Sequence, residues 1–523
     1  MCVQFQLEIT RETWAWATVA TGKTKPRNQP GPDEAYHNVY VCARRFVVKM
    51  SGWSLRRGSF APLRCSMSSF NPVPDPVPPF NPNATHQQRP KLRPVRVFPA
   101  EIQGNTLMGI ADARQISPKV VVTHPAAQFV LPVMDGQHGL DDIVKTAGRG
   151  LTLDILKQLI AQLDDAGLLV GPTADALMAK VRAEFDSQDV LPPGGTAQVA
   201  DALAMQAAGS QEAFNAMPLE ERDALGAKKL AEMLDEWMNM ALKDVPNPAF
   251  DTLPKAIMAP HLDYPRGWIN YGSVYGRMRV VDRPDRVVVL GTNHFGESTG
   301  VCGCDKGYES PLGTCELDKD LVDTLRRKLG DDNATKLFAN RFDHEREHSI
   351  ELQVPWIQHV FGRDANGKFP RIFGVLVHDP VVNNGESYDG NGLAFETFVT
   401  ALRETIATLP GKTLIVSSAD MSHVGPAFGD NVQLAGEGEE VAQNRNNVFR
   451  SDRDMINMIV AAKPDELIAA MSWQGNPTRW CSVGNIVATM KIVNPEKIEL
   501  LNFSGAMDEQ GQALVTSAAM VMV

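Results

Sequence analysis

The segment 342–356, FDHEREHSIELQVPW, contains His344-Glu345-Arg346-Glu347-His348, the H-E-x-x-H pattern of zinc peptidases. That chemistry needs one continuous helix, with two imidazoles at i and i+4 on one face and the glutamate beside them as general base. Asp343 is a suitable helix cap, but Pro355 holds such a helix to about three turns. Ile350, Glu351 and Val354 then run on without the glycine and histidine of the extended peptidase patterns. The peptidase reading is therefore weak, and Arg346 and Glu347 are expected on a solvated helix face.

Three other histidines are spaced for a shared site. KAIMAPHLDY, DRVVVLGTNHFG and KTLIVSSADMSHVG each read as an aliphatic strand followed within a few positions by His261, His294 or His423. RIFGVLVHD ends on His378 in the same manner. In an open α/β sheet, the crevice beyond the carboxyl ends of the strands is where ligands bind, so these imidazoles are expected to converge. Cys481 in NPTRWCSVGNIVATMKIV follows a Gly475-Asn476-Pro477 turn and precedes residues with helical spacing. A thiol near a helix N-terminus favours the thiolate, which is both a metal ligand and a nucleophile; the competing reading is a buried inert cysteine. Cys302, Cys304 and Cys315 lack the paired spacing of a zinc ribbon.

The elements that must position these groups begin near residue 251, where short apolar runs alternate with amphipathic helices. Residues 251–523 read as one α/β domain, and 173–250, rich in Ala, Met and Glu, as helices that pack onto it. The Met residues there are core filling. Residues 91–172 carry eight Lys or Arg against eight Asp or Glu and read as three short helices and an apolar strand, a winged-helix-like pattern. Asp154, Asp164 and Asp165 on its last helix favour a protein or peptide contact over DNA, and a purely structural domain is the other reading. Residues 1–90 form a tail with a Pro-rich part, NPVPDPVPPFNPN, of extended character. Before Met67 it has ten basic and four acidic residues, so 1–66 is either a mis-assigned start or a basic transit segment.

The chain has 523 residues, 43% of them hydrophobic, enough for two or three domains. A net charge of −11 argues against nucleic acid or an anionic membrane as partner. Seven scattered cysteines fit a reducing cytoplasm, and no apolar run reaches membrane-span length.

APH with Tyr264, LGTNH, YESPLG, EHSIELQVPW, SSADMSHVG, CSVGNI and LLNFSGAM, in this order over residues 245–523, resemble the motifs of the Memo family, in particular protein B of the bacterial AmmeMemoRadiSam system. The resemblance makes EHSIE the family motif and His344 an incidental neighbour. It implies a fold like that of class III extradiol dioxygenases, with His261 and His294 as metal ligands, Cys481 as the third, and His423 as the pocket base. Asp420 would orient His423 or a ligand. His348 and Glu351, three apart, would line the same pocket with Tyr264, the alternative being a helix-end ion pair. A thiolate in place of the dioxygenase carboxylate makes copper as acceptable as Fe(II). Partners implied are AMMECR-family and radical-SAM proteins. The small domain also resembles the winged-helix peptide-binding chaperones of pyrroloquinoline quinone biosynthesis. Two functions follow: a metal-dependent oxidoreductase, or a peptide-binding module with a vestigial pocket, which Tyr264, Trp268 or Trp480 filling the site would favour.

Overall fold

A computed structural model describes residues 79–523, except 103, 104 and 115. Met67, the basic segment before it and most of the Pro-rich stretch lie outside the described residues.

The first unit is built on a three-stranded antiparallel sheet, β1 (Val95–Ile102), β2 (Asn105–Asp112) and β3 (Val120–Thr123), paired in sequence order. Helices Leu140–Ala147 and Leu153–Asp165 follow. Thr152 caps the second, accepting the Ile155 N–H at 3.3 Å. Ile110, Ile143, Leu156, Ile160 and Leu163 fill a core of its own. The sequence reading gave this stretch three helices and one strand; it has a three-stranded meander before helices Leu140–Ala147 and Leu153–Asp165.

Helix Pro172–Asp186, a two-residue strand β4 (Val190–Leu191) and helices Gly195–Ala208, Gln211–Ala216 and Leu219–Leu242 connect to the main unit. The last of these buries Leu230, Leu234, Trp237 and Met238 against it.

The main sheet contains β5 (Ala256–Ala259), β6 (Arg286–Gly291), β7 (Cys302–Cys304), β10 (Arg371–Leu376), β11 (Thr413–Ser418), β12 (Asp420–Val424), β13 (Ile498–Met507) and β14 (Leu514–Met522). β8 (Gly307–Ser310) and β9 (Gly313–Cys315) form a small second sheet with β4. The order β12-β14-β5-β11-β6-β10-β7 puts four parallel strands, β5, β11, β6 and β10, at the centre, with antiparallel strands on both sides. β5 and β6 are buried at every residue, as continuous Val/Ile/Leu/Ala runs require when helices cover both faces. The class is therefore α/β. Among the described residues no helix is long and apolar enough to cross a membrane.

Candidate metal centre

The parallel strands bring their carboxyl ends to one edge. His261 lies two residues beyond β5 and His294 three beyond β6, while His348 opens the four-residue helix His348–Glu351. One nitrogen from each of the three imidazoles lies within 4.8 Å of those of the other two. Their ring centroids are 5.0 Å (His261 to His294), 5.6 Å (His261 to His348) and 4.7 Å (His294 to His348) apart. Cys481, two residues before helix Val483–Val493, sets its Sγ 3.3 Å from His261 Nε2.

The surroundings fix which nitrogen each ring presents. His261 Nδ1 donates to the Ser418 carbonyl at 3.1 Å, which leaves Nε2 bare toward Cys481. His294 Nδ1 donates to Glu347 Oε1 at 3.0 Å, and His348 Nδ1 lies 3.4 Å from the same oxygen. Glu347 also accepts the backbone N–H of His294 (2.8 Å) and of Ser349 (2.9 Å). Below this shell, Asn485 Nδ2 donates to the Ser418 carbonyl (2.8 Å) and to Thr292 Oγ1 (2.9 Å), locking the ends of β6 and β11 to the helix that follows Cys481.

Burial, and then the charges of His294 and His348, hold His261 well below the ordinary imidazole pKa, in the neutral form that ligates metals. Burial lowers His348 as well. It opposes the proton on His294 too, but the Glu347 carboxylate and the Cys481 side chain outweigh it, and His294 ends well above the ordinary value. Burial disfavours the Glu347 anion, yet His294 and His348 keep it well below the usual carboxylate range.

Asp420 Oδ1 accepts the His261 backbone N–H at 3.1 Å and its Oδ2 lies 3.6 Å from His261 Nε2. Burial pushes its pKa up to about 7. His423 sits on β12, outside the three-imidazole group, and its Nδ1 donates to the carbonyls of Met421 (2.9 Å) and Arg479 (3.2 Å). Burial pulls it down to about 4, so it is a neutral imidazole with Nε2 as acceptor at pH 7.

The remaining sequence candidates go elsewhere. Glu351 turns from the imidazoles and accepts the N–H groups of Gly194 (2.9 Å), Gly195 (3.0 Å) and Thr196 (2.8 Å), capping helix Gly195–Ala208. A four-residue helix does not hold Glu351 on the face of His348. Tyr264 donates to the Leu352 carbonyl at 2.8 Å and packs edge-on to Tyr271 and Trp356 within the core. Glu347, expected on a solvated face, is the most enclosed carboxylate of the centre: a 3-10 turn, Arg341–Arg346, ends at extended backbone (φ −87°, ψ 118°) on Glu347, and this break turns the side chain inward.

The same break separates His344 from His348. His344 is buried, accepts from Tyr308 OH at 2.7 Å through Nδ1 and donates to the Cys302 carbonyl at 3.1 Å through Nε2. Both nitrogens are committed, so it is a structural residue. His344→Ala is expected to cost about 1–3 kcal/mol of stability through the stranded Tyr308 hydroxyl, with metal content unchanged; denaturant titration and elemental analysis check the two halves.

One participant left no motif. Asp452, on helix Glu439–Val460, accepts from Ser422 Oγ (2.5 Å), Trp480 Nε1 (2.8 Å) and Thr516 Oγ1 (2.6 Å). It thereby holds the neighbours of His423 and Cys481. Its signal was available: a charged side chain in register with Val448, Met455 and Ile459 on the buried stripe.

A family model described as Memo-like protein matches residues 225–521, more than half of the chain and starting inside helix Leu219–Leu242. A MEMO1 family protein of Aquifex aeolicus is 24% identical over 389 residues, 74% of this chain and 86% of its own length. One from Methanopyrus kandleri is 27% identical over 268 residues, 50% of this chain and 79% of its own.

Proposed function

We propose, from the premise that this chain belongs to the Memo family, that the centre holds one transition metal ion, Fe(II) or copper, and serves a redox reaction of the kind run by extradiol dioxygenases. The observation that carries this is the meeting of His261, His294 and His348 with Cys481 at the carboxyl edge of the parallel strands. The donor set fits the ion: His261 and His294 each have Nδ1 engaged by a fixed acceptor, the arrangement that outer partners impose on metal-bound histidine, and His294 would give up its Nε2 proton on binding. The family resemblance names Cys481 as third ligand; the geometry offers His348 as well. Imidazole and thiolate together suit copper or iron and are softer than an all-oxygen site.

Bound there, the ion supplies electron transfer and Lewis acidity. The residues supply the rest. Asp420 tethers the His261 backbone and sets a carboxylate beside its ring. His423 holds a bare Nε2 able to take a proton. Tyr264 and Trp480 both point into packed core, Trp480 donating to Asp452, so neither of these two side chains fills the centre, which supports the metal reading over the vestigial pocket. The class III dioxygenase relationship, protein partners of the AMMECR and radical-SAM kinds, a peptide at the winged-helix-like unit, and a cytoplasmic location belong to the same proposal.

The test is elemental analysis of the full chain purified anaerobically without chelator. About one transition metal per chain is expected, and His261→Ala, His294→Ala and Cys481→Ser each lower occupancy steeply. Full occupancy in the His261→Ala/His294→Ala double variant would reject the assignment. Loss of a thiolate charge-transfer band in Cys481→Ser, but not in His348→Ala, separates the two candidates for the third position.

A further inference from the structure

We infer that Arg114, a residue of the small amino-terminal unit, is a positioning residue for His294, so that the metal centre is completed by a segment outside the Memo-like region. The inference rests on the metal-site reading above. Asp112, at the end of β2, builds the turn that presents Arg114: its Oδ1 accepts the Arg114 N–H (3.0 Å), its Oδ2 accepts the N–H groups of Ile116 (3.1 Å) and Ser117 (3.0 Å), and Arg93 Nη2 neutralises it at 3.1 Å. A turn so fully bonded fixes the direction of the side chain that leaves it.

That side chain ends on the loop bearing His294. Arg114 Nε donates to the Phe295 carbonyl at 3.1 Å, Nη1 meets the Glu297 carboxylate, and Nη2 lies 3.5 Å from Asp343 Oδ1. Asp343 Oδ2 accepts in turn from Asn293 Nδ2 (2.9 Å) and the Ser298 N–H (2.8 Å), and Asn293 Oδ1 accepts the Gly296 N–H (2.7 Å). The loop 293–298 is thus wrapped on Asp343, so closely that a Cβ on Gly296 would collide with the Asp343 carboxylate. Arg114 closes it from outside. Its side chain is 9% exposed and the five donors of its guanidinium, in a rigid fork, suit three acceptors on two segments.

His294 is therefore held from two sides, by Glu347 on its ring and backbone and by Arg114 with Asp343 on the flanking residues. Without Arg114, the Phe295 carbonyl and one oxygen of buried Asp343 lose their charged partner, and the loop loses its tie to the unit that covers it. A ligand on a looser loop pays more ordering entropy on binding, and outer-sphere partners of this kind typically alter metal affinity by about 10–100-fold.

The experiment compares full-length wild type, Arg114→Ala and Arg114→Lys. Metal-free protein is probed by hydrogen exchange across 293–298, and Co2+ is then titrated in while its visible spectrum is recorded. Arg114→Ala is expected to exchange faster in this loop, bind Co2+ at least about 10-fold more weakly and show shifted ligand-field bands, with partial recovery in Arg114→Lys. A lowered Tm with unchanged exchange, affinity and spectrum would assign Arg114 to the interface between units alone and overturn the inference. If wild type takes up no Co2+, the metal reading fails, and the exchange arm by itself decides whether Arg114 fixes the loop.

Discussion

Glu347→Gln is expected to weaken metal binding by about 10–100-fold, and Glu347→Ala to unfold the metal-free protein at markedly lower denaturant, by about 3–5 kcal/mol. One carboxylate serves three donors, the ring N–H of His294 and the backbone N–H groups of His294 and Ser349, and lies 3.4 Å from Nδ1 of His348. Glutamine keeps one acceptor oxygen but presents an amide NH2, a donor, to the other groups, so a ring must turn or give up its partner. Either change misdirects an Nε2 that the tautomer had aimed at the centre. Alanine removes every acceptor and leaves the donors buried, and His294 loses the carboxylate that sustains its proton against burial. Titration calorimetry of the metal-free protein reads the first effect, and guanidinium unfolding reads the second. Wild-type affinity in Glu347→Gln would show that the carboxylate only fills space.

The placement of His261 and His294 was legible because a buried parallel strand announces itself as an unbroken aliphatic run, and the residue just after it must emerge at the sheet edge. Glu347 was not. A helical period across 342–356 assigns it to solvent, whereas the backbone changes from 3-10 to extended to helical within that stretch, and no periodicity survives such a break. The same break explains Glu351: spacing of three predicts a shared face only on a helix long enough to have one, and here the carboxylate is drawn to the unpaired N–H groups at the start of Gly195–Ala208. Nor does any local pattern mark Arg114, whose acceptors lie about 180 residues or more further along the chain. Contacts of that separation are set by how the units pack, and packing is not written in a window of neighbouring residues. His423 shows a subtler limit. It was expected just past a strand end and converging with His261 and His294, but it lies within β12 outside their group, and burial carries its pKa to about 4, away from the neutral range of a free imidazole.

Asp452 is expected to give this fold a pH-dependent stability that a single substitution isolates. Burial raises its carboxyl from 3.8 to about 6, against the three donors that favour the anion. The folded state therefore holds a proton that the unfolded chain has already released between about pH 4 and pH 6. Below about pH 3 both states are protonated and the group is neutral toward stability. As pH rises the unfolded carboxyl ionises first, and stability falls by ~3 kcal/mol before levelling off above the folded pKa. Asp420, raised to about 7 by its own burial, acts with the same sign, so wild type alone does not isolate Asp452. Asp452→Asn does, because the amide keeps the shape and an acceptor for Trp480 Nε1 and Ser422 Oγ without titrating. Urea unfolding of both proteins at about pH 3 and pH 7.5 should show the variant gaining on wild type by ~3 kcal/mol between the two. Asp452→Ala should instead be destabilised at both pH values, since it strands Trp480, Ser422 and Thr516 together. A difference between wild type and Asp452→Asn that does not move with pH would mean that the carboxyl is ionised at its usual value. The three donors would then fully offset burial at the position that supports the neighbours of Cys481 and His423.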